Sequence, residues 1–245
     1  MYCHASRASR NFYPADIVNS GVLEKVVDAR EKWDRIYSAG DIPEPKACWV
    51  LSEFAYLLPK SGKAVDVASG RGANALLLAG AGLQTTAIDI SPVGIEQLQS
   101  NAQKRSLNIE TRVEDLSASS QGTGSQGTES LGTGPLGTGP LGTGPLGTEQ
   151  WDVIVVSNYL QRDLFESIVS ALRPDGLVYF ETFVKNKSDP SVGPASPEYL
   201  LDNNELLNSF AGLSVRVFFD LQTAGSCEQG LRNKSCLVAQ KSTQK

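Results

Sequence analysis

The sequence has few of the residues that build metal centres and no long apolar run. Histidine occurs once, at His4, and the four cysteines (Cys3, Cys48, Cys227 and Cys236) lack the spacing of metal ligands. No apolar run reaches the roughly 18 residues that suggest a membrane-spanning helix. We therefore expect no metal site, no membrane attachment and a reduced, cytoplasmic chain.

Positive charge is also scarce. The chain has 22 Lys and Arg against 27 Asp and Glu, for a net charge of −5 at pH 7. Because a nucleic-acid backbone attracts an excess of positive charge, we expect no nucleic-acid partner. The length of 245 residues suits one α/β domain with an appendage, acting as a monomer or weak dimer.

The most informative stretch is Ala64-Val-Asp-Val-Ala-Ser-Gly-Arg-Gly-Ala-Asn-Ala-Leu-Leu-Leu-Ala79. Its pattern predicts a buried strand, a glycine turn and then a helix. Such a turn lets a ligand approach the backbone, and the N–H groups that open the helix bind polar or anionic groups. An ordinary strand-to-helix connection is the alternative. Gly70, Gly72 and Ala75 also fit the dinucleotide pattern, so the glycines do not name a cofactor.

Three successive predicted strands each carry an aspartate near the carboxyl end, namely Asp66, Asp89 and Asp115. In an open parallel sheet that edge is where ligands bind. Carboxylates suit the hydroxyls of a ribose, the amine of an adenine and the ammonium of an amino acid. Nicotinamide enzymes share the ribose acid, but their fingerprint does not ask for an acid inside the first strand. Each aspartate is also explained as a helix cap or turn residue.

Six motifs in this order resemble class I S-adenosylmethionine-dependent methyltransferases, in the branch similar to the tellurite-resistance and thiopurine methyltransferases. They are Trp33-Asp-Arg-Ile-Tyr37, Val65-Asp-Val-Ala-Ser-Gly-Arg-Gly-Ala-Asn74, Ala87-Ile-Asp-Ile-Ser-Pro92, Thr111-Arg-Val-Glu-Asp-Leu116, Asp152-Val-Ile-Val-Val-Ser-Asn158 and Leu172-Arg-Pro-Asp-Gly176. One departure is Ala68, where the family usually has its first glycine. Alanine costs little there unless the position needs a positive φ.

The resemblance implies a doubly wound, Rossmann-like α/β sheet of seven mostly parallel strands, in the order 3-2-1-4-5-7-6 with strand seven antiparallel. It implies S-adenosyl-L-methionine as cofactor and methyl transfer to a small-molecule acceptor by in-line displacement. An NAD(P)-dependent oxidoreductase and a cofactor-binding but inactive regulatory module are the alternatives.

The resemblance and the strand ends together predict the site residues. Those expected to bind the cofactor are Arg35, Tyr37, Asp66, Ala68, Gly70, Gly72, Asn74, Asp89, Ile90, Asp115, Leu116, Ser157 and Asn158. On the acceptor side Tyr159 is a candidate to stack, Arg162 to hold an anion and Glu181 to take a proton. A helix start or a salt bridge explains each of these three equally well.

The chain divides into a predicted N-terminal helical arm and cap, residues 1–60, and a methyltransferase domain, residues 61–245. We predict helices over 15–38, 46–58, 73–81, 92–105, 161–172 and 197–210, and strands over 64–68, 84–89, 108–113, 151–157, 177–183, 214–219 and 235–240. Residues 117–149 are rich in Gly, Thr, Ser, Pro and Leu, and repeat Leu-Gly-Thr-Gly-Pro. Because each repeat offers one leucine to bury, we predict a disordered insertion.

Overall fold

The computed structural model describes residues 29–40, 44–116 and 144–243. His4, the predicted helix over residues 15–28 and most of the predicted insertion lie outside these described residues. None of the helices within the described ranges is long and apolar enough to cross a membrane.

The described elements alternate between strands and helices along most of the chain. The strands are β1 (Lys63–Val67), β2 (Gln84–Asp89), β3 (Ile109–Val113), β4 (Trp151–Ser157), β5 (Leu172–Phe183), β6 (Ser214–Phe219) and β7 (Lys234–Gln240). The helices are α1 (Ala29–Ser38), α2 (Trp49–Glu53), α3 (Ala73–Gly80), α4 (Pro92–Lys104), α5 (Leu164–Ala171) and α6 (Glu205–Ser209). Short 3₁₀ turns occupy Ala55–Leu57 and Pro197–Tyr199.

The strands form one seven-stranded sheet in the order β3-β2-β1-β4-β5-β7-β6. Neighbouring strands from β3 to β5 run parallel, whereas β7 is antiparallel to both β5 and β6. The predicted fold and strand order are confirmed. Because β1, β2, β4 and β5 are parallel, their carboxyl ends meet at one edge, which is where α/β sheets bind ligands.

Apolar side chains bury both faces of the central strands, as expected for parallel strands covered by helices on both sides. On one face Ile154 and Phe180 pack with Phe165 and Phe210. On the other face Val155 and Tyr179 pack with Leu51 and Leu78, among others. This two-sided core holds the carboxyl edge of the sheet in place.

Two predicted helices are much shorter than expected, and the helix predicted over 161–172 spans only Leu164–Ala171. The helix predicted over 46–58 ends at Phe54, whose φ of −108° and ψ of 25° are not helical and whose carbonyl accepts a hydrogen bond from Tyr179. Trp49 is 37% exposed, and its ring lies edge-on to Phe54 and Phe219. The helix predicted over 197–210 is interrupted before Asn204, which has a left-handed φ of 58°.

The end of the predicted insertion is packed. Leu146, in the last repeat unit, is 2% exposed and belongs to the core cluster with Ile154. Its carbonyl accepts a hydrogen bond of 2.9 Å from the Trp151 indole. The prediction of disorder up to residue 149 was therefore wrong for residues 144–149. The sequence of one repeat does not show that its leucine is buried in the core.

Candidate functional site

The glycine turn after β1 is built from left-handed backbone. Ala68, Gly70 and Gly72 have φ values of 53°, 53° and 80°. A Cβ on Gly70 would lie 2.8 Å from the Tyr37 hydroxyl, and one on Gly72 would lie 2.2 Å from the Leu98 side chain. Glycine is therefore required at both positions. Alanine at position 68 was expected to cost little unless the position needs a positive φ. The position does have a positive φ, so Ala68 is strained by roughly 1–2 kcal/mol.

Asp89 ends β2 and faces this turn. Its side chain is 4% exposed, and its Oδ2 accepts a hydrogen bond of 2.6 Å from the Gly70 N–H. Its Oδ1 accepts one of 2.8 Å from the Ser91 N–H. Burial raises the pKa of Asp89, the N–H groups of Ser91, Gly70 and Ile90 lower it, and the nearby Asp34 raises it. The strand-two acid is thus held against the glycine turn, as the sequence predicts.

Asp66 lies in β1, just before the turn, and is completely buried. Its oxygens accept hydrogen bonds from the Ala75 N–H at 3.0 Å and from the Asn74 side chain at 3.2 Å. Burial raises the pKa of this carboxyl to about 7, although both hydrogen bonds lower it. Through these contacts Asp66 holds the start of α3, and its predicted role in binding the cofactor stays a prediction.

Helix α1 lies over the turn and against α4. The hydroxyl of Ser91 bonds to the Asp34 carboxylate, and the Gln97 side chain donates to the Tyr37 carbonyl at 2.7 Å. Trp33 and Tyr37 stack with their ring centroids 5.6 Å apart. Of the two predicted contacts from this helix, Tyr37 reaches the glycine turn, whereas Arg35 is exposed. Ser91 also caps α4 by accepting a hydrogen bond from the Gly94 N–H.

The ends of β2 and β3 bring together several further predicted residues. Asp115 and Ile90 are half-buried, and Leu116 is buried in the core. Burial raises the pKa of Tyr159 to about 12, and the charges of Asp115 and Asp89 raise it in addition. This electrostatic coupling shows that Tyr159, which follows β4, lies near both strand-end acids.

Ser157 and Asn158 end β4 between these groups. The Ser157 hydroxyl accepts a hydrogen bond of 2.9 Å from the Asn74 side chain. Asn158 is exposed, has a left-handed φ of 55° and donates its N–H to the Glu181 carbonyl at 2.8 Å. Asparagine tolerates this left-handed conformation better than most other residues.

Two predicted acceptor-side residues are engaged with other parts of the protein. Arg162 donates to the Glu205 carboxylate at 2.7 and 3.0 Å, and to the carbonyls of Glu198 and Leu200. It therefore holds a loop, and its predicted use for an anionic acceptor is not what the geometry shows.

Glu181 is likewise engaged, and it is 1% exposed. It accepts hydrogen bonds from the Lys234 ammonium at 2.9 Å and from the Val50 N–H at 2.8 Å. A buried ion pair replaces the predicted proton acceptor. No local pattern pointed to Lys234, because it lies 53 residues from Glu181 along the chain.

Two concave regions lie away from this edge. One, of about 300 Å³, is lined by residues that include Glu44, Ala73 and Arg105. The other, of about 530 Å³, lies at the amino ends of β1, β2 and β3 and includes Lys63 and Thr85. Cavity size alone does not identify the carboxyl edge as the site. The strand-end acids and the glycine turn indicate that edge.

Comparison with known families decides the class. The profile of a methyltransferase domain matches residues 44–222, which is more than half of the chain. The chain belongs to this methyltransferase domain family. The resemblance seen in the six motifs is confirmed, and the methyltransferase is an enzyme of class I by family and by fold. No curated protein matches it.

Solved structures that share the methyltransferase fold include three at low sequence identity. One, solved for the conversion of a disulfide bond into a thioacetal group during echinomycin biosynthesis, is 20% identical with a TM-score of 0.56, covering 87% of this chain and 92% of that one. TehB from Haemophilus influenzae is 18% identical with a TM-score of 0.54, covering 86% and 66%. A SAM-dependent methyltransferase from Methanosarcina mazei is 16% identical with a TM-score of 0.54, covering 82% and 100%.

Proposed function

We propose that this methyltransferase binds S-adenosylmethionine along the glycine turn, with the Asp89 carboxylate accepting hydrogen bonds from both ribose hydroxyls. The observation that carries the proposal is the position of Asp89. Backbone N–H groups of Gly70 and Ser91 fix its two oxygens at the end of β2. Because a carboxylate has about four lone-pair sites, it keeps acceptor capacity beyond the N–H groups of Gly70, Ser91 and Ile90.

The other residues of this edge fit the same cofactor. Gly70 and Gly72 allow the left-handed backbone that shapes the turn along which the cofactor lies in this proposal. In this proposal Asp115, beyond β3, accepts a hydrogen bond from the adenine amine, and Ile90 and Leu116 supply apolar contact. The donors and acceptors that the chain presents therefore suit an adenosine better than an isolated phosphate, which three acids would repel.

The acceptor is, in this proposal, a small molecule that enters between Asn158 and Tyr159. The sulfonium of the cofactor supplies an already activated methyl group. The protein's task is then to orient the acceptor for in-line displacement and to exclude water, and orientation alone can supply roughly 7–11 kcal/mol of a barrier. With its pKa raised to about 12, Tyr159 stays protonated at neutral pH and serves as a hydrogen-bond donor.

Calorimetry with S-adenosylmethionine, S-adenosylhomocysteine and NAD tests the cofactor. We expect the first two to bind and NAD to fail. Asp89→Asn should weaken S-adenosylhomocysteine binding by about tenfold or more, since hydrogen bonds to a charged group are worth about 1.5–3 kcal/mol each.

A matched control is Asp175→Asn, which removes the same charge from a turn at the opposite edge of the sheet. Asp175 has a φ of 64°, which asparagine tolerates. We expect wild-type affinity from this variant. Binding of NAD without either adenosyl ligand would refute the proposal, as would equal affinities of the Asp89 and Asp175 variants.

A further inference from the structure

The amide of Asn74 joins three segments beneath the proposed cofactor site. Asn74 is the second residue of α3 and is 5% exposed. Its Oδ1 accepts a hydrogen bond of 2.9 Å from the Cys48 N–H, just before α2. Its Nδ2 donates to Asp66 Oδ1 at 3.2 Å and to Ser157 Oγ at 2.9 Å. Both amide hydrogens and the amide oxygen are thus used, each toward a different segment.

These partners fix which way the amide points. The Cys48 N–H can only donate, so the amide oxygen must face it. The nitrogen then faces the Asp66 carboxylate and the Ser157 hydroxyl, both of which can accept. A flipped amide would place nitrogen against N–H and oxygen against carboxylate, losing all three hydrogen bonds. The orientation therefore follows from the chemistry of the partners.

The fixed amide also decides in which direction the Ser157 hydroxyl donates its proton. A hydroxyl has one proton and two lone pairs, and here one lone pair receives the Asn74 N–H. The proton of Ser157 must therefore point away from Asn74. Ser157 ends β4 and is partly exposed, so its proton is available to a group at the carboxyl edge.

We propose that Asn74 is a positioning residue that sets Ser157 as a hydrogen-bond donor to the amino-acid carboxylate of S-adenosylmethionine. The proposal rests on the proposed function above. A carboxylate only accepts, which matches a hydroxyl whose proton is directed outward. The N-terminal end of α3, which begins one residue before Asn74, also favours negative charge. Asp66, whose pKa is raised to about 7 by burial, is only partly ionised at neutral pH and therefore opposes this charge less than a full carboxylate would.

The test compares two ligands that differ in the amino-acid end. S-Adenosylhomocysteine has that end, whereas 5′-methylthioadenosine has the adenosine and the sulfur without it. Ser157→Ala should weaken S-adenosylhomocysteine by about tenfold or more, the fold-change of a hydrogen bond to a charged group, and leave 5′-methylthioadenosine unchanged. Ser157→Thr keeps the hydroxyl and is the control, with near wild-type affinity for both ligands.

The role of Asn74 is tested by a double-mutant cycle read out as S-adenosylhomocysteine affinity. Asn74→Ala should weaken binding when Ser157 is present and have no further effect in the Ser157→Ala background. Should Asn74→Ala not fold in a thermal unfolding assay, Asn74→Asp replaces it. A carboxylate at this position can only accept, so it would draw the Ser157 proton away from the ligand and cause the same loss.

The outcomes separate this proposal from the proposed function. If the wild type binds neither ligand, the proposed function fails. If the wild type binds both, the role of Ser157 is overturned by an unchanged affinity of Ser157→Ala for S-adenosylhomocysteine, or by an equal loss for 5′-methylthioadenosine. Additive effects of the two substitutions would overturn the role of Asn74.

Discussion

The two halves of the carboxyl edge differ in how their charged side chains are held. In the cofactor half, the ends of β1, β2 and β3, acids accept from nearby main chain: Ala75 lies nine residues from Asp66, and Gly70 lies 19 from Asp89. In the acceptor half, the ends of β4 and β5 and the start of β7, partners come from farther away. Glu205 lies 43 residues from Arg162, and Lys234 lies 53 from Glu181.

The difference explains why one half could be predicted and the other could not. The N–H groups of a strand–glycine turn–helix motif are positioned by the motif itself. An acid at the end of the next parallel strand therefore lies beside them whenever the motif folds. An ion pair such as that of Glu181 and Lys234 requires two distant segments to pack. Three substitutions test this comparison further.

The largest effect is expected from breaking the buried pair of the acceptor half. Lys234→Met should lower the free energy of unfolding by about 3–5 kcal/mol, because it leaves Glu181 buried without its partner. The two side chains are 9% and 2% exposed. Urea unfolding measures the change. Lys185→Met, in an exposed pair with Asp202, is the control and should cost about 1 kcal/mol or less. Similar losses for both would show that the acceptor half is not held by its buried pair.

In the cofactor half, Asp66 should make stability depend on pH. Burial raises its pKa to about 7, against about 3.9 when unfolded. Between these values the folded state binds more protons, so stability falls as the pH rises and levels off above about 7. Relative to Asp66→Asn, which does not titrate, the wild type should lose about 2 kcal/mol between pH 5 and pH 7. Urea unfolding at both pH values checks this, and parallel behaviour of the two proteins would contradict it.

The smallest effect concerns the one position of the glycine turn that departs from the family. Ala68→Gly should raise the free energy of unfolding by about 0.5–1 kcal/mol, since relief of left-handed strain outweighs the added freedom of the unfolded chain. Ala79→Gly makes the same chemical change inside α3 and should instead cost about 1 kcal/mol. Thermal unfolding distinguishes the two signs. A loss from both would mean that Ala68 is not strained.

Much of the architecture was predictable from the residues and their resemblance to a family. The bounds predicted for β2, β4 and β6 agree with the structure. The predicted division into an arm and a domain stays a prediction. The helix ends at Phe54 and Asn204 were missed, because the backbone angles that end those helices leave little trace in apolar spacing.

By itself, the sequence determined the glycine turn, the acids at the strand ends and the order of strand and helix. Local patterns and short-range hydrogen bonds are enough for these. Only the tertiary structure decided that Arg162 and Glu181 hold other segments, that Leu146 is buried, and that Asn74 orients Ser157. Each of these contacts depends on which segments, distant in the sequence, pack against the side chain. A polar atom that is already hydrogen-bonded within the fold is less available to bind a ligand than its residue type suggests.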